Sequence, residues 1–284
     1  MSIQLGDLKI TIVNDGLYGF DGGAMFSVVP RALWGRKKPP DELNRVTMTT
    51  NCLLVERGSD LLLIDTGLGD KIDARSREQM RLADDAVRLP AAIRAAGYEL
   101  EDVTHVLLTH LHFDHCGWNT REVDGKVVPT FSKARYFLQR GEVEHARAPN
   151  LRDRSSYNPL NWEPLFEAGV GELFDNEIEV IPGVRAVRTP GHNADMCIVL
   201  LDGTGEGTQG ALWADLVPTA AHLPIAWVMS YDLYPLETMA NKEKWLGRAV
   251  EGDWLSFFIH DPEMPVARLR EEKPGRYTAI PVSL

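Results

Sequence analysis

The segment Val106-Leu-Leu-Thr-His110-Leu-His112-Phe-Asp114-His115-Cys-Gly117 constrains this chain more than any other. An apolar run of strand character stops abruptly at three histidines and an aspartate. His110 and His112 are two apart, so extended backbone carries both imidazoles on one side. Asp114 and His115 follow as the chain turns, within reach of a second position nearby. Any one of these groups alone reads as part of a polar turn, solvated or paired with a carboxylate. Together at a strand end they make poor core material and suit a borderline divalent metal.

The rest of the sequence places this segment in an α/β chain. Short β-like runs recur at Leu8–Val13, Asn51–Val55, Leu61–Ile64, His105–Leu108, Tyr136–Leu138, Glu179–Ile181, Cys197–Leu201 and Phe257–Ile259. Amphipathic stretches of helical length lie between them. Asp73 to Ala96 is one, with Pro90 expected to break or kink it, and Leu236 to Val250 is another. Strands interleaved with helices predict a layered α/β fold rather than an all-β sandwich. The 284 residues suit one large domain over 1–284. With 44% hydrophobic and 25% charged residues the chain is not of the disordered type.

Charge and cysteine content narrow the function. Thirty Lys and Arg against 41 Asp and Glu give a net charge of −11, with no basic stripe of the kind a nucleic-acid protein presents. An acidic chain is also a poor match for anionic membranes. The nearly uncharged stretch Ala211 to Met229 contains Asp215, Pro218, His222 and Pro224, so it reads as buried protein rather than a lipid-spanning helix. Cys52, Cys116 and Cys197 suggest no disulfide framework. With no signal-peptide pattern at the N-terminus, a cytoplasmic location is expected. Two loop-rich regions, 20–40 and 146–169, read either as surface loops with anchoring aromatics or as lids over a site.

The motif H-x-H-x-D-H at a strand end resembles that of the metallo-β-lactamase superfamily of metal-dependent hydrolases. The other signature positions of that family are filled in order: Leu62-Leu-Ile-Asp65-Thr66-Gly67, Thr189-Pro190-Gly191-His192, Ala211-Leu-Trp-Ala-Asp215 and Phe257-Phe-Ile-His260. The resemblance runs from about Asn51 to Pro262 and implies a four-layer αβ/βα sandwich. It implies that His110, His112 and His192 hold one metal and that Asp114, His115 and His260 hold a second. Asp215 would bridge the two, and Asp65 would orient a ligand imidazole from behind. Two divalent transition-metal ions follow as cofactors, zinc first, with iron, manganese or cobalt as alternatives. The implied chemistry is hydrolysis by a hydroxide bridging the two metals, with Asp114 also carrying a proton to the leaving group.

Among the branches of this superfamily, the Asp at 215 separates the chain from the cysteine-ligand antibiotic-degrading enzymes. The arrangement looks most like the lactonase and organophosphate-hydrolase branch, so a lactone, ester or phosphotriester is the expected small-molecule substrate. Acyl-homoserine lactonases often carry a tyrosine three residues after the bridging aspartate; here that position is Pro218, and Tyr231 or Tyr234 would have to substitute. Met25, Phe26 and Trp34 in the N-terminal loop, with His222, are candidate pocket residues. A thioester hydrolase of the glyoxalase II kind is the alternative kept alive by the basic Arg36–Lys38 cluster. A di-iron oxidoreductase of the same fold is disfavoured by His112. The family and the apolar N-terminal loop together suggest a homodimer.

Overall fold

Short apolar strands, buried on both faces, build two sheets packed face to face. The structure is a computed structural model that describes residues 1–83, 86 and 88–282. The first seven-stranded sheet holds β1 (Ser2–Leu5), β2 (Leu8–Asp21), β3 (Arg45–Arg57), β4 (Asp60–Ile64) and β5 (His105–Leu107). A separate hairpin of β6 (Thr120–Val123) and β7 (Lys126–Pro129) interrupts it before β8 (Arg135–Gln139) and β9 (Gly171–Phe174) complete its edge. The second seven-stranded sheet runs in chain order through β10 (Glu177–Ile181), β11 (Val184–Arg188), β12 (Cys197–Asp202), β13 (Gln209–Leu212), β14 (Leu255–Phe257), β15 (Val266–Lys273) and β16 (Arg276–Pro281).

Period-two side-chain direction sorts residues into layers. In β3, Leu53 and Val55 face the opposing sheet, whereas Cys52 and Leu54 face outward under helices. In β12, Cys197, Val199 and Leu201 point inward, and Ile198 and Leu200 pack outward against Trp245, Leu246 and Ala249 of the helix Pro235–Glu251. Helices Leu89–Ala95, Arg140–Arg147 and Glu163–Glu167 cover the outer face of the first sheet. The result is the helix–sheet–sheet–helix sandwich expected above. Central strands are apolar on both faces because both faces are covered. Each aliphatic side chain buried this way contributes about 1.5–3 kcal/mol.

Three expectations need correction. Pro90 does not break a helix; it sits in the first turn of Leu89–Ala95, where its missing N–H costs nothing. The segment 73–96 is two helices, Ala74–Gln79 and Leu89–Ala95, and residues 84, 85 and 87 of it lie outside the described residues. In Pro235–Glu251 the buried face is Thr238, Lys242, Trp245, Leu246 and Ala249, while Leu236 is 77% exposed. Among the described residues no helix is long and apolar enough to cross a membrane, and Ala211–Met229 is a strand followed by short turns.

Candidate metal centre and its cleft

The chemistry-bearing residues all follow strand ends on one rim of the sandwich. Thr109, His110 and His112 follow β5, His192 follows β11, Asp215 follows β13 and His260 follows β14. Asp114 and His115 lie in the short helix Phe113–Cys116 that the first histidines lead into. This places groups up to 150 residues apart in sequence, from His110 to His260, in one buried cluster. Among the described residues, three subsets have ligand atoms close enough to share an ion: His110, His112 and His192; His110, His115 and Asp215; and Asp114, His115 and His260.

Asp215 links them. Its Oδ2 lies 3.2 Å from His192 Nε2 and 4.0 Å from His110 Nε2, and its Oδ1 lies 3.0 Å from His260 Nε2 and 3.4 Å from His115 Nε2. Asp114 Oδ2 approaches His260 and His115 Nε2 at 3.7 and 3.9 Å. The residue before Asp215, Ala214, has φ of 47°, a left-handed conformation that costs a non-glycine residue about 1–2 kcal/mol. Such strain persists where the surroundings over-determine it, as at a functional site.

Hydrogen-bond partners assign the imidazole tautomers. His115 Nδ1 donates to Asp65 Oδ2 at 2.9 Å, His192 Nδ1 to Asp232 Oδ1 at 3.0 Å, and His260 Nδ1 to the Thr49 carbonyl at 2.8 Å. Each Nε2 is therefore left with a lone pair turned inward in the neutral ring. His115 Nε2 and His260 Nε2 face each other at 3.1 Å, and His192 Nε2 faces His112 Nδ1 at 3.0 Å. Lone pairs at that separation repel unless a cation or proton is shared between them. His110 Nε2 and Asp215 Oδ1 are also buried with no hydrogen-bond partner. The donor set fits divalent transition-metal ions.

Charge balance agrees. Burial, with neighbouring histidines, drives His110 and His112 well below the ordinary imidazole pKa, so both offer lone pairs. Burial also pulls on His115, but the Asp215 and Asp114 carboxylates and the bond to Asp65 outweigh it and raise it well above the ordinary value. The Asp215 carboxyl is held well below the usual range: burial opposes ionisation, but His115, His260 and His192 dominate. The pocket thus demands positive charge beside Asp215.

A family model described as the metallo-beta-lactamase superfamily matches residues 46–205. The chain belongs to the metallo-β-lactamase superfamily. A probable metal-dependent hydrolase from Staphylococcus aureus is similar in structure, with a TM-score of 0.88, 26% identity and coverage of 99% of this chain and 100% of that one. AidC, a dizinc quorum-quenching lactonase, matches with a TM-score of 0.80 and 21% identity over 100% of this chain and 97% of its own, and shows likeness of fold. In sequence, an N-acyl homoserine lactonase of Bacillus cereus is 27% identical over 53% of this chain and 57% of its own length. A probable metallo-hydrolase of Mycobacterium tuberculosis is 30% identical over 63% of each chain. This chain therefore spans less than two thirds of the length of these two relatives.

Above this cluster of histidines and aspartates opens a cleft of about 150 Å³. Phe20 and Met25 reach it from the segment 20–40, Arg152 from 146–169, and Tyr231 and Leu233 from the loop after Asp215; Phe113 adds a ring from the motif itself. The other pocket candidates stand elsewhere. Phe26, Trp34 and His222 do not line the cleft. Phe26 is stacked between Trp34, at 5.1 Å and 7°, and His222, at 4.4 Å and 5°, and all three are buried beneath it. The stack fits because a Cβ on Gly22 would come within 2.3 Å of the Trp34 ring, so only glycine leaves room. Burial pushes His222 down to about 3, and the neutral ring donates from Nε2 to the Met25 carbonyl at 2.8 Å. His222 thus supports Met25, a residue that does line the cleft.

Asp65 lies behind His115, accepting from its Nδ1. It adopts φ of 57° and also accepts from Thr109 N and Thr109 Oγ1, both at 2.8 Å. The loop that carries it can lie against the motif because Gly69 meets the Gly117 backbone, where a Cβ would come within 2.4 Å. Cys116 is buried with its thiol donating to the Leu111 carbonyl, and all three cysteines are free and buried. Three supporting residues were not legible in sequence: Asp232 behind His192, Tyr18 beside His260 Nδ1 at 3.0 Å, and Glu142. Buried Glu142, pushed up to about 7 by desolvation, accepts from Leu111 N–H at 2.9 Å and from the Tyr157 hydroxyl at 3.1 Å. None belongs to a local motif, so only the fold could reveal them.

Proposed function

We propose that this protein is a dinuclear metal-dependent hydrolase of lactones, esters or phosphotriesters. The observation that carries this reading is Asp215, whose two oxygens face two separate imidazole sets at the floor of the cleft. His110, His112 and His192 would hold one divalent ion and Asp114, His115 and His260 the other. Such ions supply Lewis acidity and a water that ionises near neutral pH. The chain's own groups do the rest. Asp114 faces the cleft and is placed to carry a proton to the leaving oxygen. Phe20, Met25 and Phe113 give an acyl or aryl group an apolar wall. Arg152, on the segment 146–169, donates to the Ser230 and Asp232 carbonyls, which supports reading that segment as a lid latched to the opposite wall.

The thioester alternative loses its footing. Lys38 is buried, with Nζ 2.7 Å from Asp261 Oδ1, and it does not line the cleft, so it is not available to an acidic thiol there. Zinc is the favoured metal of this reading, the three free thiols favour a reducing, cytoplasmic setting, and a homodimer remains part of it. The test pairs metal analysis with a panel of lactones, aryl esters, phosphotriesters, thioesters and β-lactams. The expected result is close to two transition-metal ions per chain and turnover concentrated in the first three classes. A fully metal-loaded protein that turns over none of them overturns the reading.

Tyr231 takes the place that Pro218 cannot fill. Its ring lines the cleft with its hydroxyl as a donor for a substrate carbonyl or phosphoryl oxygen, whereas Tyr234 does not line it. Tyr231→Phe is expected to lower kcat about tenfold, the worth of one hydrogen bond to a charge-bearing oxygen, with metal content unchanged. An unchanged kcat across the reactive substrates would remove Tyr231 from the reaction.

A further inference from the structure

Lys242 is a charged side chain with no role in the chemistry above, yet it is fully buried. It projects from the helix Pro235–Glu251, and its Nζ donates to three backbone carbonyls: His222 at 2.6 Å, Pro224 at 2.8 Å and Trp227 at 2.9 Å. An ammonium has three donors and no acceptor, so these carbonyls satisfy it completely. No carboxylate among the described residues forms an ion pair with it. Burial pulls its pKa down to about 7, against the opposing pull of the Asp232 carboxylate, which forms no ion pair with it. A buried ammonium of this kind is a poor way to gain stability, since it must be desolvated without a counter-charge. Its value lies in what the carbonyls belong to.

The three carbonyls come from one tight segment. His222, at its start, holds the Met25 carbonyl through Nε2. Just beyond Trp227 come Met229, Tyr231 and Leu233 on the cleft wall, and Asp232, which orients His192 and accepts from Met229 N at 3.2 Å. Leu233 N and Tyr234 N then bond the carbonyls of His192 and Gly191. Turns such as this have no ladder of their own; the Pro224 carbonyl also accepts from Trp227 N at 2.9 Å, but without the ammonium the three carbonyls would be left facing one another in a buried space.

We propose that Lys242 is a positioning residue whose ammonium works as a tethered cation, gathering the carbonyls of His222, Pro224 and Trp227 and so fixing the segment 222–233 as one wall of the cleft. Lys242→Ala would leave a cation-sized hole lined by three carbonyls, and Lys242→Met would keep the packed stem without the donors. Hydrogen exchange followed by mass spectrometry reads the segment directly. In Lys242→Ala, amides of 222–233 are expected to exchange about tenfold faster or more, while β12 remains protected. Millimolar methylammonium should restore protection in Lys242→Ala and have no effect in Lys242→Met, where the stem fills the hole. If Lys242→Ala does not fold, Lys242→Met carries the test through its local loosening alone. Unchanged exchange in 222–233, equal loosening of both sheets, or no response of Lys242→Ala to methylammonium would overturn the proposal. Its consequence for turnover rests on the cleft being the substrate site: KM should rise more than kcat falls, and methylammonium should reverse the change. Local, reversible loosening with KM unmoved would leave the role of Lys242 standing and count against the cleft as the substrate site.

Discussion

Asp215→Ala is expected to empty the site and stop turnover. The carboxylate stands between four imidazole Nε2 atoms at 3.0–4.0 Å and is the negative charge that both proposed ions would share. Without it, Asp114 is the one carboxylate left in the cluster to balance two dications. Its loss removes several kcal/mol of the stabilisation that bound ions lend to a developing charge. At 1.36 kcal/mol per factor of ten, that amounts to at least about a thousandfold in kcat/KM. Plasma emission should show the metal content of the purified variant falling well below two ions per chain. The left-handed Ala214 that precedes it is unchanged, so the fold should survive and the circular dichroism spectrum should match the parent. A variant that retained two ions per chain and its activity would refute the bridging role.

Asp65 is expected to separate folding from metal binding. It is fully buried and accepts three hydrogen bonds, from Thr109 N, Thr109 Oγ1 and His115 Nδ1. Asp65→Ala strands the Thr109 amide and places a β-carbon-only residue at φ of 57°, so a loss of about 3–5 kcal/mol is expected. Asp65→Asn is the sharper probe. Asparagine tolerates the left-handed conformation and can still accept from Thr109 N, so most of the stability should remain. Its amide nitrogen, however, presents donors where His115 Nδ1 also donates. The His115 ring is then driven toward the tautomer that protonates Nε2, the atom aimed at the metal. Metal affinity should fall about 10–100-fold while the thermal midpoint of the metal-free protein moves little. Competition against a chromophoric chelator measures the first and calorimetry the second. Equal losses in both would mean that Asp65 is merely structural.

The division between what could be read early and what could not follows distance along the chain. The H-x-H-x-D-H cluster was legible because its residues are neighbours and because a strand end fixes their direction. Asp65, His192, Asp215 and His260 were singled out by resemblance to the family's later signatures, each short and weak when taken alone. The strands themselves were legible as short apolar runs such as Asn51–Val55, although which of Cys52, Leu53, Leu54 and Val55 faces which layer shows only in the fold. Pocket residues were harder. Phe26, Trp34 and His222 have the composition of a binding loop, but aromatic rings stack on one another as readily as on a ligand, and only packing decides which.

By itself, then, the sequence determined the layered α/β class and pointed to the candidate ligand residues, the first through its interleaved strands and helices and the second through the H-x-H-x-D-H cluster and the family signatures it resembles. Only the tertiary structure decided which side chains stand behind the ligands and which wall the cleft. Asp232 lies 40 residues from His192, Tyr18 lies 242 from His260, and Lys242 reads as one more surface charge on an amphipathic helix. What makes each of them matter is a partner brought in by the fold: a bare Nδ1–H, a buried imidazole, three converging carbonyls. A buried polar group is defined by what satisfies it, and that is a property of three-dimensional contact.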